Sequence, residues 1–146
     1  MKNKKKALKN EMSRHEESVE DIRQFQNKIE TWKQLLESET EENVFLKNSI
    51  SGILRNNYDQ SSLEEIEEFQ THFIKMDELI HSLKGKVNNS ADIPYIQIVE
   101  DEKAERQFFR LMKDLSRDIT SFTTRFHLLK SAFNDFQQKI SNRCEN

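Results

Sequence analysis

Two glycines and one proline are all that 146 residues contain, against roughly 7% and 5% in average usage. β-Sandwiches, barrels, dinucleotide-binding folds and phosphate-cradling loops need glycine at fixed turns, so each is excluded. The one cysteine, Cys144, has no second thiol to pair with. Disulfide scaffolds and cysteine-ligated zinc are therefore excluded, and a reducing, cytoplasmic setting is expected. No run of 18 apolar residues occurs, so no membrane-spanning helix is expected. Residues 1–10 carry five lysines without an apolar segment behind them, unlike a secretory signal.

What is present is charge and a regular apolar beat. Charged residues make up 34% of the chain, well above the roughly 25% of ordinary domains. Yet Val, Ile, Leu and Phe still supply 38 of the 146 residues, enough to exclude disorder. The net charge of −3 hides an uneven distribution. Residues 1–10 hold five bases and no acid. Residues 36–70 hold nine acids against two bases, and residues 103–146 nine bases against five acids. Segments of opposite sign in one chain pair most simply with each other or with a second copy.

The spacing predicts three long helices in one domain, 1–146. The first, about 11–57 after a basic or frayed start over 1–10, carries Ile22, Phe25, Ile29, Trp32, Leu36, Glu39, Asn43, Leu46, Ile50 and Ile53 at alternating three- and four-residue steps. That is a heptad seam. Leu8, Met12, His15 and Val19 continue it upstream, with a stammer at Val19–Ile22–Phe25. The cluster Asn56-Asn57-Tyr58-Asp59 ends it. Ser61 and Ser62 each precede a glutamate by three residues, so overlapping capping boxes are expected at the second helix, about 62–87. Its seam is Ile66, Phe69, Phe73, Met76, Ile80, Leu83 and Val87, with Gly85 or Asn88-Asn89-Ser90 ending it. Residues 91–99 hold the proline. They read either as a helix capped by Asp92 with Pro94 in its first turn or as an ordered plug, with Ile93, Tyr95, Ile96 and Val99 buried. The third helix, about 98–142, carries Phe108, Met112, Leu115, Ile119, Phe122, Phe126, Leu129, Phe133, Phe136 and Ile140 without a break. Bulky seam residues favour more than two helices around an axis. The fold class expected is an all-α, elongated, antiparallel three-helix coiled-coil bundle, long-short-long, completed by dimerisation.

The dimer follows from the expected stagger. Folding the second helix back about residue 60 sets Phe69 beside Ile50, Met76 beside Asn43 and Val87 beside Trp32. Folding the third back about residue 94 sets Phe108 beside Ile80 and Phe122 beside Ile66. The short middle helix, roughly 40 Å at 1.5 Å per residue, then leaves Phe25, Ile29, Leu129, Phe133, Phe136 and Ile140 uncovered. Each wet side chain would forfeit about 1.5–3 kcal/mol. A second copy packed tail to head would cover them isologously. Another helical protein, or a break that folds the tail back, would do the same.

The residues that could carry chemistry are few. Only Glu78–His81 has the Glu-x-x-His spacing of carboxylate-bridged bundles, and it flanks the seam, so no metal site is expected. Cys144 has no histidine near it in sequence and no nucleophile elbow is present; no catalytic residue, cofactor or small-molecule substrate is expected. Glu39 and Asn43 on the seam read as polar residues that set register. Lys2, Lys4, Lys5, Lys6 and Lys9 could meet phosphates electrostatically, but without interleaved aromatics or arginine neither nucleic acid nor a membrane surface is the expected partner. The phenylalanines of the third helix could alternatively line a groove for a partner helix or a lipid chain.

Trp32-Lys33, Glu42-Asn43-x-x-Leu46-Lys47, Phe69-Gln70-x-x-Phe73 and Lys75-x-Asp77-Glu78 together resemble short bacterial coiled-coil proteins of unknown function over roughly residues 20–85. The resemblance implies a bacterial, cytoplasmic helical bundle and carries over no site residue. The function expected is that of a non-enzymatic, self-associating scaffold or adaptor, a homodimer.

Overall fold

Apolar residues three and four apart share one side of a helix, and burying that side stabilises long helices more than propensity does. The computed structural model describes the backbone of residues 2–56 and 60–145, and the side chains of 16–56 and 60–142. It is all-α, with no strand among the described residues. The elements are α1 (Lys2–Arg55), a 3-10 turn (Gln60–Ser62), α2 (Leu63–Ala91), α3 (Tyr95–Glu100) and α4 (Glu102–Glu145). Four α-helices stand where three were expected.

The differences lie at helix ends. α1 begins at Lys2, not near residue 11, because Lys-rich sequence is itself helix-permissive. α2 runs through Gly85 to Ala91; Gly85 keeps a helical backbone, held by buried Leu83 and Val87 on either side. Ser62, the residue before α2, makes no side-chain cap bond. Ser62 has helical angles, φ −92° and ψ −7°, so it belongs to the 3-10 turn instead of adopting the extended geometry a cap needs. Asp92 ends α2 and Pro94 sits just before α3, outside its first turn, so of the two readings of 91–99 a helix capped by Asp92 does not form.

The cap that does form is one the seam pattern passes over. Asp101 is extended, φ −128° and ψ 114°, and its Oδ1 accepts the Lys103 N–H at 3.0 Å. That is N-cap geometry for α4, and it divides the expected third helix in two. Of residues 91–99, Ile98 is buried, Ile93 and Val99 are partly buried, and Tyr95 and Ile96 face solvent. A six-residue helix has only one side to bury, so the expected burial of Tyr95 and Ile96 fails.

Register follows from these ends. Glu37 pairs with Lys84 and Lys47 with Asp77, so α1 and α2 run in opposite directions at the stagger expected from a turn near residue 60. The α2–α4 stagger differs. Lys86 meets Asp118, and Phe69 meets Phe133 and Phe136. Each α2 residue thus faces α4 about 16 positions later than expected, roughly 24 Å at 1.5 Å per residue. The cause is α3, which takes up the connection and delays the start of α4. The first turns of α4 pass beyond the end of α2 and pack beside α1, with Phe108 and Phe109 against Phe25.

That shift overturns the argument for an uncovered stripe. Phe133 packs edge-on against Phe69 and Phe73, both rings at 5.2 Å between centroids, and Phe136 lies 5.1 Å from Phe69. Ile29, Phe133 and Phe136 are buried, and Phe25, Leu129 and Ile140 pack partly buried on the same continuous core. Three of the six are thus buried and three partly covered within one chain, in the place read as a groove for a partner helix or lipid. Trp32, Leu36, Met112, Leu115, Phe122 and Phe126 complete that core.

Candidate functional site

The described residues bring polar groups together at one place inside the bundle, about three-quarters of the way along α1. Asn43 occupies a seam position, so its amide must be satisfied by neighbours or remain a buried cost of about 1–3 kcal/mol. It is fully buried. Its Nδ2 donates to the Phe73 carbonyl at 3.0 Å and to Asp77 Oδ1. Both partners are acceptors, which fixes the amide orientation and leaves Oδ1 buried without a donor. Lys47, one turn along, donates to Asp77 Oδ2. This tie joins α1 to α2.

One turn back, the same layer joins α1 to α4. Lys130 Nζ donates to Glu42 Oε2 at 3.1 Å and lies 3.8 Å from Glu39 Oε2, an ion pair beyond hydrogen-bond length. Its ammonium also sits 4.8 Å above the Phe126 ring, a cation–π contact. The Glu39 side chain is only 12% exposed, and its Oε2 has no hydrogen-bond partner. Burial holds its carboxyl above the ordinary 4.5, partly offset by the Lys130 charge. Two acceptors without donors therefore lie one turn apart. Glu39 and Asn43 are brought together as expected. Lys47, Asp77 and Lys130 were not singled out in the sequence, and their positions flanking the seam were the available signal.

The layer can fix three helices in one alignment; its groups do not converge on an open cavity. Several surface clefts among the described residues lie elsewhere. One of about 390 Å³ is lined by Asp21, Phe25, Lys28, Phe109 and Lys113, and one of about 420 Å³ borders Pro94 and Leu111. Glu78 and His81 are both exposed, and no group of three or more His, Cys, Asp or Glu among the described residues could hold a metal ion. No helix is long and apolar enough to cross a membrane among those residues. Lys2, Lys4, Lys5, Lys6, Lys9 and Cys144 lie outside the residues whose side chains are described.

Sequence reading also missed a set of exposed apolar residues. Val44, Phe45 and Ile74 are 45%, 67% and 48% exposed, beside Asn43 and Phe73. Tyr95 and Ile96 on α3 and Leu128 on α4 are exposed elsewhere. The signal was available: an apolar doublet, Val44-Phe45, next to the seam but not on it. Comparison with protein-family models, curated proteins and solved structures finds no match to this chain.

Proposed function

We propose that this protein is a non-enzymatic, self-associating scaffold or adaptor, built as an elongated antiparallel coiled-coil bundle that is completed by a second copy. The observation that carries the reading is the length of α1. At 54 residues it spans about 80 Å at 1.5 Å per residue, and it outruns its neighbours. Phe25 lies beside Phe108, which sets the start of α4 level with about residue 18. Glu37 lies beside Lys84, which sets the end of α2 level with about residue 30. The heptad spacing of Leu8, Met12 and His15 nevertheless continues beyond both points. An amphipathic helix without a neighbour gains most by meeting another helix.

The single Cys144 and the likeness to bacterial coiled-coil proteins support a cytoplasmic, bacterial setting. The test is molar mass by light scattering during size exclusion at low and moderate salt. Twice the 17.5 kDa of one chain is expected at low salt; 17.5 kDa at micromolar concentration would overturn the reading.

A further inference from the structure

Two features remain without a use, and each fits the other. The first is the apolar flank of Val44, Phe45 and Ile74. Asn43 bonds to Phe73 and Asp77, which places Val44 and Ile74 on facing stretches of α1 and α2. Lys47, three residues after Val44, reaches Asp77, three residues after Ile74; because the two helices are antiparallel, Val44 and Ile74 lie on either side of that pair, about 9 Å apart along the axis at 1.5 Å per residue, with Phe45 next to Val44 on α1. Around them Glu41 and Glu78 are exposed, and Glu37 is 66% exposed despite its bond to Lys84. Glu37 and Glu41 belong to the segment with nine acids against two bases; the bases here are Lys75, exposed beside Ile74, and Lys47, paired with Asp77.

The second feature is the start of α1. Its sequence carries Lys2, Lys4, Lys5, Lys6 and Lys9, with Leu8 and Met12 four residues apart, the composition of a short basic amphipathic helix. Among the described residues no other helix runs level with it. It cannot bend back to its own flank, because residues 8 and 44 belong to one continuous helix and stand about 54 Å apart at 1.5 Å per residue. A separate molecule is required.

We propose that the lysine-rich start of α1 in one copy docks on the Val44–Phe45–Ile74 flank of a second copy, reciprocally, with the two α1 helices antiparallel. Lysines then meet Glu37, Glu41 and Glu78, while Leu8 and Met12 cover the apolar side chains. Because the same two surfaces meet twice about a two-fold axis, the assembly closes at two chains and leaves no open end for a filament. The charges are exposed, so salt screens them over about 8–10 Å and weakens the dimer on the order of tenfold between low and moderate salt.

This inference rests on the self-association proposed above and locates it. The experiment mixes full-length chain at natural abundance with full-length chain labelled in ¹⁵N, then applies a zero-length carbodiimide cross-linker. Mass spectrometry of mixed-isotope peptides is expected to join Lys4, Lys5, Lys6 or Lys9 of one copy to Glu37, Glu41 or Glu78 of the other. A variant with Phe45→Ser and Ile74→Ser, both surface changes, is expected to run as a monomer with unchanged helical circular dichroism. A dimer cross-linked elsewhere, or one that survives the double variant, overturns the docking surface and leaves self-association standing. A 17.5 kDa chain overturns both, and co-sedimentation of that monomer with anionic vesicles would assign the lysines to a lipid surface.

Discussion

The phenylalanine cluster between α2 and α4 and the polar layer that adjoins it at Phe73 and Lys130 lie side by side in the bundle, yet they contribute differently. Phe69, Phe73, Phe133 and Phe136 form a continuous set of ring contacts at 5.1–6.4 Å. Burial of such rings is large and non-directional, so a slip of one heptad along the seam would still find apolar partners. Around Asn43 the interactions are few and directional. An amide that needs the Phe73 carbonyl and Asp77, and an ammonium that needs Glu42, are satisfied in one alignment only. The first region is apolar burial that tolerates a slip and the second is a set of directional bonds, the kind that sets register in coiled coils.

The comparison can be broken from either side. Phe133→Ala should cost most, about 3–5 kcal/mol, read as the midpoint of thermal or urea unfolding; a loss below about 1 kcal/mol would mean that the ring cluster is not the stabilising core. Asn43→Ala should cost less, about 1–3 kcal/mol, since it removes both donations while also removing the orphaned Oδ1. The sharper contrast is Asn43→Leu, expected to match or exceed the native midpoint while broadening the distribution of alignments, measured by distances between spin labels on α1 and α2. If those distances stay as narrow as in the native chain, the polar layer does not set register.

Two smaller effects refine the picture. Gly85 lies mid-helix with open space where a Cβ would stand, so Gly85→Ala should raise stability by about 0.5–1 kcal/mol. No gain would mean that the last turns of α2 are frayed in solution. Glu39→Gln is best read as a slope with pH. Since burial raises the folded carboxyl above its ordinary 4.5, the native chain loses stability as pH rises from 4.5 through that higher value, where the buried group ionises. The glutamine variant has no such titration. Its advantage over the native chain should therefore be smallest below pH 4.5, grow through that window and then stay level. An advantage that is flat across pH would mean Glu39 is not held as a buried acid.

How far the chain could be read in one dimension differs between its two halves. The α1–α2 pairing was legible because one short turn, marked by Asn56, separates two uninterrupted seams; fixing the turn fixes the stagger. The α2–α4 pairing was not, because Pro94 and Asp101 each break the chain within eight residues and a seam pattern does not distinguish a plug from a separate helix. The side chain of Asp101 decides it by accepting the Lys103 N–H, a local cap outweighing a continuous apolar spacing.

The sequence by itself determined the class of fold and the polar seam: near-absent glycine and proline with three- and four-residue apolar steps leave only long helices, and Glu39 and Asn43 break the step visibly. Only the tertiary structure decided which partner each stripe meets. A shift in the start of α4 moves every later contact by the same distance, so Phe133 and Phe136 pass from an expected interface into the core of one chain. Exposure of Val44, Phe45 and Ile74 was decided there too, because whether an apolar residue beside a seam is covered depends on how closely the neighbouring helix approaches, and spacing along one helix carries no measure of that distance.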